Sequence, residues 1–434
     1  MNKNLHQTLL DEYKTKFLPK KFVPGQSFIP VAGKIFDQQE IFLATEAILD
    51  GWWTEGRFSD LFEEKISKWL GIKYAILVNS GSSANLLALS ALKSARLGDK
   101  RLKNGDEVIT VAAGFPSTVN PIIQNNLTPV FVDVDLGSYN INVEKFKKAI
   151  GPKTRAVFIA HTLGNPFDLA ALVKICQKNN LWLIEDNCDA LGSKYNGKFT
   201  GTFGHISTSS FYPAHHITMG EGGALFTNDT VLNKIIRSMR DWGRDCWCKT
   251  GHDNTCGKRF EWQLGELPLG YDHKYIYSEI GYNLKLTDIQ AAIGVAQLEK
   301  LDGFIKKRKE NFEFLYDHLK KYEKYFILPS WQDKADPSWF GFLLTVKEKA
   351  PFDRNQIIQY LQKAKIGTRY LFAGNILKQP YFIDCKVNYR VVGDLINTDA
   401  VMNNTFWIGC YPGLTKEMLK YVVSVFDKFS AQFI

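Results

Sequence analysis

The stretch Ser209–Gly223, "SSFYPAHHITMGEGG", closes a long run of strand and helix patterns. It follows an apolar, β-rich segment, carries the adjacent histidines His215 and His216, and ends on the flexible pair Gly222–Gly223. It holds no lysine. An amine at such a place attacks carbonyl carbon. Imidazole instead moves protons near neutrality, with an ordinary pKa of about 6.5. Isolated histidines are more often structural than catalytic, so the surroundings decide between these roles.

Upstream, from about Tyr74 to Thr227, short apolar runs alternate with helical patterns. "YAILVNS" precedes "SANLLALSAL", and "EVITVAA" precedes "STVNPIIQ". "PVFVDVD", "AVFIAH" and "LWLIED" follow, the last two separated by the amphipathic "FDLAALVKICQKNN". Continuous apolar strands with intervening helices predict an α/β fold with a mostly parallel sheet covered on both faces. Ligands of such sheets sit at the carboxyl ends of the strands. The turns that follow the strands are therefore the places to look for chemistry.

Three turns carry candidates. "NSGSSANLLAL", Asn79–Leu89, follows a strand and opens a helix whose first N–H groups suit a phosphate. It lacks the Gly-Lys-Ser/Thr ending of a Walker loop, and serines and glycines also merely cap helices. In "LIEDNCDALG", Asp186 ends an apolar strand, where a carboxylate can pair with a ring nitrogen or simply cap a helix. His215 stands on the same side of the sheet, after the next strand.

In this order and spacing the chain resembles the pyridoxal-phosphate-dependent sugar aminotransferase superfamily, of aspartate-aminotransferase fold. The resemblance covers nearly the whole chain. It implies a phosphate site at Gly81 and Ser82, joined by Ser210, and a pyridine-nitrogen contact at Asp186. It also implies a ring-stacking aromatic at Phe115, in "AAGFPST". Asn283, in "GYNLKLTDIQAAIG", matches a residue that reaches the neighbouring subunit's phosphate, which implies a homodimer. The family's Schiff-base lysine corresponds to His215. Histidine forms no stable internal Schiff base, so pyridoxamine 5'-phosphate (PMP) is expected to be held non-covalently. His215 is then the base at the cofactor's C4′, and the outcome is dehydration of a keto-sugar rather than amination. A degraded pseudoenzyme is the blander reading, opposed by the intact cofactor motifs.

Four cysteines refine the expectation. Cys188 lies two residues after Asp186, and Cys246, Cys248 and Cys256 lie in the irregular segment Gly243–Lys274. Four thiolates suit a 2Fe-2S cluster. The rival is a local zinc site of Cys246, Cys248, His252 and Cys256, which leaves Cys188 without a role. "DWGRDCWC", "DNTCGKRF", "PAHHITMGEGGA" and "GTRYLFAGN" resemble a subgroup of sugar 3-dehydrases. That resemblance implies a CDP-linked 4-keto-6-deoxyhexose as substrate and a 3,6-dideoxy-4-keto sugar as product. It further implies electrons from a separate NADH-dependent flavin iron–sulfur reductase, and a place in surface-sugar biosynthesis. Arg369, in "GTRYLFAGN", is read as an anchor for the nucleotide diphosphate or the sugar, against a solvated arginine or a structural ion pair.

The whole chain bounds these readings. Its 434 residues, 45% hydrophobic, support a substantial core and more than one domain. The boundary is placed near residue 305: a large cofactor-binding domain (1–305) and a smaller α+β C-terminal domain (306–434). A net charge of +9 without long basic runs disfavours nucleic acid and suits small anions. The charged N-terminus lacks an apolar signal core, and no apolar run reaches the roughly 20 residues of a membrane helix. The expected location is the cytoplasm. Seven cysteines, an odd number, argue against a disulfide framework. Cys176, Cys385 and Cys410 are read as buried small hydrophobes.

Overall fold

Alternation within the strands explains the central sheet. Val108, Ala156, Phe158 and Ile184 point to one face, and Ile109, Val157, Ile159 and Leu183 to the other; each set joins a separate apolar cluster under the helices that cover that face. The computed structural model describes residues 3–18 and 20–433. Its large sheet comprises β1 (Tyr74–Val78), β2 (Glu107–Val111), β3 (Thr128–Val132), β4 (Thr154–Ala160), β5 (Trp182–Asp186), β6 (Ile206–Ser210), β7 (Gly223–Thr227) and β8 (Arg390–Val391). The order across the sheet is β1-β7-β6-β5-β4-β2-β3-β8. Only β7 runs antiparallel to its neighbours, β1 and β6. Seven strands come from the region that the sequence patterns mark. The eighth is a two-residue strand that the patterns miss, returned from far along the chain to pair with β3.

The connecting helices start at polar caps. Ser80, Asp168 and Asp229 each accept backbone N–H groups at the starts of Gly81–Ala91, Leu169–Lys178 and Thr230–Arg240. Helix Arg57–Leu70 begins at Gly56, which has no side chain to serve this purpose. Asp288 does so from across the chain. Its carboxylate accepts the N–H groups of Gly56, Phe58 and Ser59 at 3.0, 3.1 and 2.8 Å.

A second body is built on a small antiparallel sheet of Phe326–Ile327, Gly341–Val346 and Thr405–Gly409. Helices Leu301–Leu319, Arg354–Lys363 and Lys416–Ser430 share its core. Helix Leu301–Leu319 links the two bodies: Ile305 packs in a cluster with Phe62 and Phe211, whereas Phe312 and Leu315 pack with Phe342 and Phe426. The aromatic "DPSWFGF" segment feeds the interior through Trp339, Phe340 and Phe342. Cys176 and Cys410 are buried as expected. Cys385 is not: it is exposed, because the short helix Pro380–Asp384 ends just before it and turns only Phe382 inward.

Candidate active site

The carboxyl ends of β1, β5 and β6 lie together, and each hands over to a turn bearing a candidate residue. After β1, Ser80 caps helix Gly81–Ala91, its hydroxyl taking the Ser83 N–H at 3.1 Å and its carbonyl the Ala84 N–H at 3.0 Å. The N–H groups of Gly81 and Ser82 fall outside the helical ladder and face outward from the positive end of the helix. Glycine is required here for close approach: a Cβ on Gly81 would stand 2.4 Å from the Cβ of Ser210, at the end of β6. Gly81, Ser82 and Ser210 thus form one cradle, with Ser82 exposed.

Asp186, the last residue of β5, is 5% exposed. Its Oδ2 accepts from Asn85 Nδ2 at 2.9 Å and from Thr118 Oγ1 at 2.7 Å, and Oδ1 accepts the Cys188 N–H at 3.2 Å. Asn85 is fixed in turn by Thr208 Oγ1 at 2.6 Å. Three donors leave a carboxylate able to accept from one more, such as a protonated ring nitrogen. Its neighbour Glu185 is fully buried on the opposite face. Burial would raise its pKa, but His161 and the N–H groups of Gly204 and Gly201 hold it below the usual range. That anion locks the end of β5 from behind.

His215 lies in the turn after β6, half-buried, its backbone N–H on the Tyr212 carbonyl at 2.9 Å. Its Nδ1 is 3.3 Å from Asp189 Oδ1, at ion-pair distance but off the line of a good hydrogen bond. The Phe340 ring lies 5.3 Å away, between centroids. Arg308, fully buried, donates from Nη2 to the His215 carbonyl at 3.1 Å. His216 faces away, with Nε2 2.9 Å from the Ser338 carbonyl.

Phe115 is half-exposed at the start of helix Pro116–Gln124, edge-on to Phe372 at 6.0 Å. Ala373 N–H donates to the Gly114 carbonyl at 3.3 Å, which brings the segment bearing Arg369 against the Phe115 turn. Arg369 is exposed; its guanidinium donates to the Thr368 carbonyl at 2.8 Å and makes no ion pair among the described residues. Asn283 is exposed beside the Gly81 turn, since the Asn79 N–H bonds to the Leu284 carbonyl at 2.9 Å.

The fit of PMP follows from these features. The close approach of Gly81 to Ser210 sets the Ser210 hydroxyl beside the free N–H groups of a helix start, which suits a phosphate, and Asp186 retains acceptor capacity in a buried setting. Asn85, Thr118, Asp189 and Arg308 complete the site; the first three lie within "NSGSSANLLAL", "AAGFPST" and "LIEDNCDALG" without being singled out there, and Arg308 lies outside every motif. Asp189 alone left a signal, as a second acid one turn beyond Asp186 in "EDNCD".

The cysteines are assembled in part. Cys246, Cys248 and Cys256 line one small cavity with Arg259, His273 and Lys274. The Cys248 N–H points at Cys246 Sγ, 3.5 Å away. Burial pushes the Cys246 thiol up, whereas hydrogen bonds from Thr255 outweigh burial and bring Cys248 down. Cys188 is not among the lining residues. Burial and the charges of Asp186 and Asp189 push its thiol well above the ordinary value. Among the described residues, no three His, Cys, Asp or Glu side chains converge as ligands of one metal ion. The geometry therefore completes neither the four-thiol set nor the zinc set. His252 is exposed and outside the cavity.

Residues 35–427 match the model of the DegT/DnrJ/EryC1/StrS aminotransferase family. The lipopolysaccharide biosynthesis protein RfbH of Salmonella typhimurium is 58% identical over 97% of this chain and 96% of its own. A dTDP-4-dehydro-2,6-dideoxy-D-glucose 3-dehydratase of Saccharopolyspora spinosa is 49% identical over 95% of this chain and 88% of its own. A solved E. coli GDP-4-keto-6-deoxy-D-mannose-3-dehydratase with bound hydrated PLP superposes with a TM-score of 0.81 at 29% identity, covering 92% of this chain and 99% of that one. The architecture is the aspartate-aminotransferase-like fold, and the chain belongs to the DegT/DnrJ/EryC1/StrS aminotransferase family.

Proposed function

We propose that the protein is a PMP-dependent sugar 3-dehydrase that removes the 3-hydroxyl of a CDP-linked 4-keto-6-deoxyhexose. The observation that carries this reading is an imidazole, His215, seated beside Asp189 at the strand ends where the family's lysine would stand. When bound, PMP supplies an amine for the keto carbon and a ring that withdraws electrons. Gly81, Ser82 and Ser210 hold its phosphate, Phe115 covers its ring, and Asp186 keeps the ring nitrogen protonated. His215 removes the proton at C4′ and is placed to return one to the departing hydroxyl. Exposed and without an ion pair among the described residues, Arg369 is available to the diphosphate or the sugar.

The finer parts of the proposal rest on the sequence motifs of this chain. The names of the 3-dehydratase relatives state dTDP- and GDP-linked sugars; CDP is the expectation that the motifs "DWGRDCWC", "DNTCGKRF" and "GTRYLFAGN" carry for this chain. Cys188, Cys246, Cys248 and Cys256 are proposed to hold a 2Fe-2S cluster, three of them already sharing a cavity. A separate NADH-dependent flavin iron–sulfur reductase would supply the electrons. A homodimer is proposed in which Asn283 reaches the other subunit's phosphate. The setting proposed is cytoplasmic dideoxysugar synthesis for lipopolysaccharide O-antigen. No helix among the described residues is long and apolar enough to cross a membrane.

The test is His215→Asn. Solvent exchange of the C4′ proton is lost while PMP binding, read by absorbance, survives. Full exchange in that variant removes His215 from the chemistry. Assays with CDP-, dTDP- and GDP-linked substrates separate the nucleotide question. Iron and sulfide analysis separates the cluster from a cluster-free dehydratase that consumes the cofactor amine, the reading favoured by the incomplete ligand set.

A further inference from the structure

Behind His215 lies a second cavity whose lining includes His215, His216, Thr218, Gln297, Phe304 and Arg308. Two of these side chains are almost wholly enclosed: His216 is 2% exposed and Arg308 0%. Each presents a buried nitrogen with no partner within the protein, His216 Nδ1 and Arg308 Nε, and the half-buried His215 adds a third at its Nδ1. Buried polar atoms in folded proteins nearly always find a partner, so orphans on three side chains that line one cavity point to a ligand.

Their chemistry is complementary. His216 Nε2 faces the Ser338 carbonyl at 2.9 Å, and a carbonyl only accepts, so this nitrogen carries the hydrogen. Burial and the nearby charge of Arg308 keep the ring neutral by pushing its pKa well down. Nδ1 is then a bare acceptor. Arg308 Nε–H is a donor, while the same guanidinium's other nitrogens reach the carbonyls of Trp339 at 3.2 Å and His215 at 3.1 Å. Among the described residues Arg308 makes no ion pair. One molecule that accepts from Nε–H and donates to Nδ1 satisfies both, and water is the smallest that does so.

We infer that this cavity is a binding site for a single ordered water bridging Arg308 Nε–H to His216 Nδ1. The bridge ties His216 to the guanidinium that grips the His215 carbonyl. Arg308 and His216 are thereby positioning residues: they touch no reacting atom but set the height and tilt of the His215 turn. This inference rests on the reading of His215 as the proton-moving group.

A high-resolution crystal structure of the PMP-loaded protein tests the site directly. One solvent peak within hydrogen-bonding distance of both nitrogens is expected. A dry cavity, or a His216 ring flipped so that Nδ1 meets Ser338, overturns the inference. Two variants test the role. His216→Asn places an oxygen where Nδ1 stood and keeps the peak and the C4′ exchange rate. His216→Leu loses the peak and slows exchange about tenfold, the effect of one lost buried hydrogen bond, with PMP affinity unchanged. Equal rates in the two variants overturn the positioning role. Should His215→Asn itself retain exchange, the functional reading falls, while the solvent peak still decides this one.

Discussion

Asp189 Oδ1 stands 3.3 Å from His215 Nδ1, three residues beyond the acid that ends β5. A small turn of the ring would bring Nδ1–H onto this carboxylate and leave Nε2 free as a base. Asp189→Asn keeps the shape and removes the charge. The C4′ exchange rate is expected to fall about 100-fold, with PMP still bound. The measurement is solvent-exchange NMR beside an absorbance titration, and a wild-type rate would mean that Asp189 is a bystander.

Gly81→Ala tests the phosphate cradle. The new Cβ would meet Ser210 at 2.4 Å from its Cβ and 3.1 Å from its Cα, so backbone has to shift. The expected cost is about 1–3 kcal/mol of stability, together with weaker PMP binding. Thermal unfolding with and without PMP reads both effects, and the gain in Tm from PMP should shrink in the variant.

Cys256→Ser addresses the loop thiols. If the four cysteines hold a cluster, anaerobically purified protein loses iron and acid-labile sulfide in this variant and in Cys188→Ser alike. Far-ultraviolet circular dichroism stays unchanged, because the cavity belongs to a loop rather than to the sheet. Retained sulfide in Cys188→Ser would strike that residue from the ligand set.

Arg390 holds Glu107 through two bonds, Nε to Oε1 at 2.9 Å and Nη2 to Oε2 at 2.6 Å. Arg390 holds the Glu107 carboxyl below its ordinary value of 4.5, against the opposing effect of burial. The unfolded chain therefore binds the proton first on acidification. The contribution is full above pH 4.5 and is lost as pH falls through the lower folded-state value. Arg390 is partly exposed, so screening limits the pair to about 1 kcal/mol. Urea unfolding at pH 7 should show Glu107→Gln less stable by about that amount, and the gap to wild type should close in strong acid.

The parts of the site legible in sequence share one property: each lies within a few residues of a strand end. Gly81, Asp186, Ser210 and His215 follow apolar runs whose period declares them strands, and the parallel sheet collects those ends. Asn85 and Thr118 escape because they act on Asp186 from 101 and 68 residues away. Arg308 sits on a helix that reads as an ordinary amphipathic element, and nothing local tells that its charged end turns inward. β8 is two residues long, too short for any period. Cys385 fails for the opposite reason: a generic preference for burial yields to a helix end that happens to fall at the surface.

The acceptor that Asp288 provides to helix Arg57–Leu70 also bears on synthesis. The Gly56 N–H waits for a partner 232 residues further on. A nascent chain stalled before that point has built β1 to β7 of the sheet but leaves the first turn of this helix to water. Final closure of the N-terminal region therefore comes late in translation, and chains released early would expose Phe58 and Phe62 to chaperones and proteases.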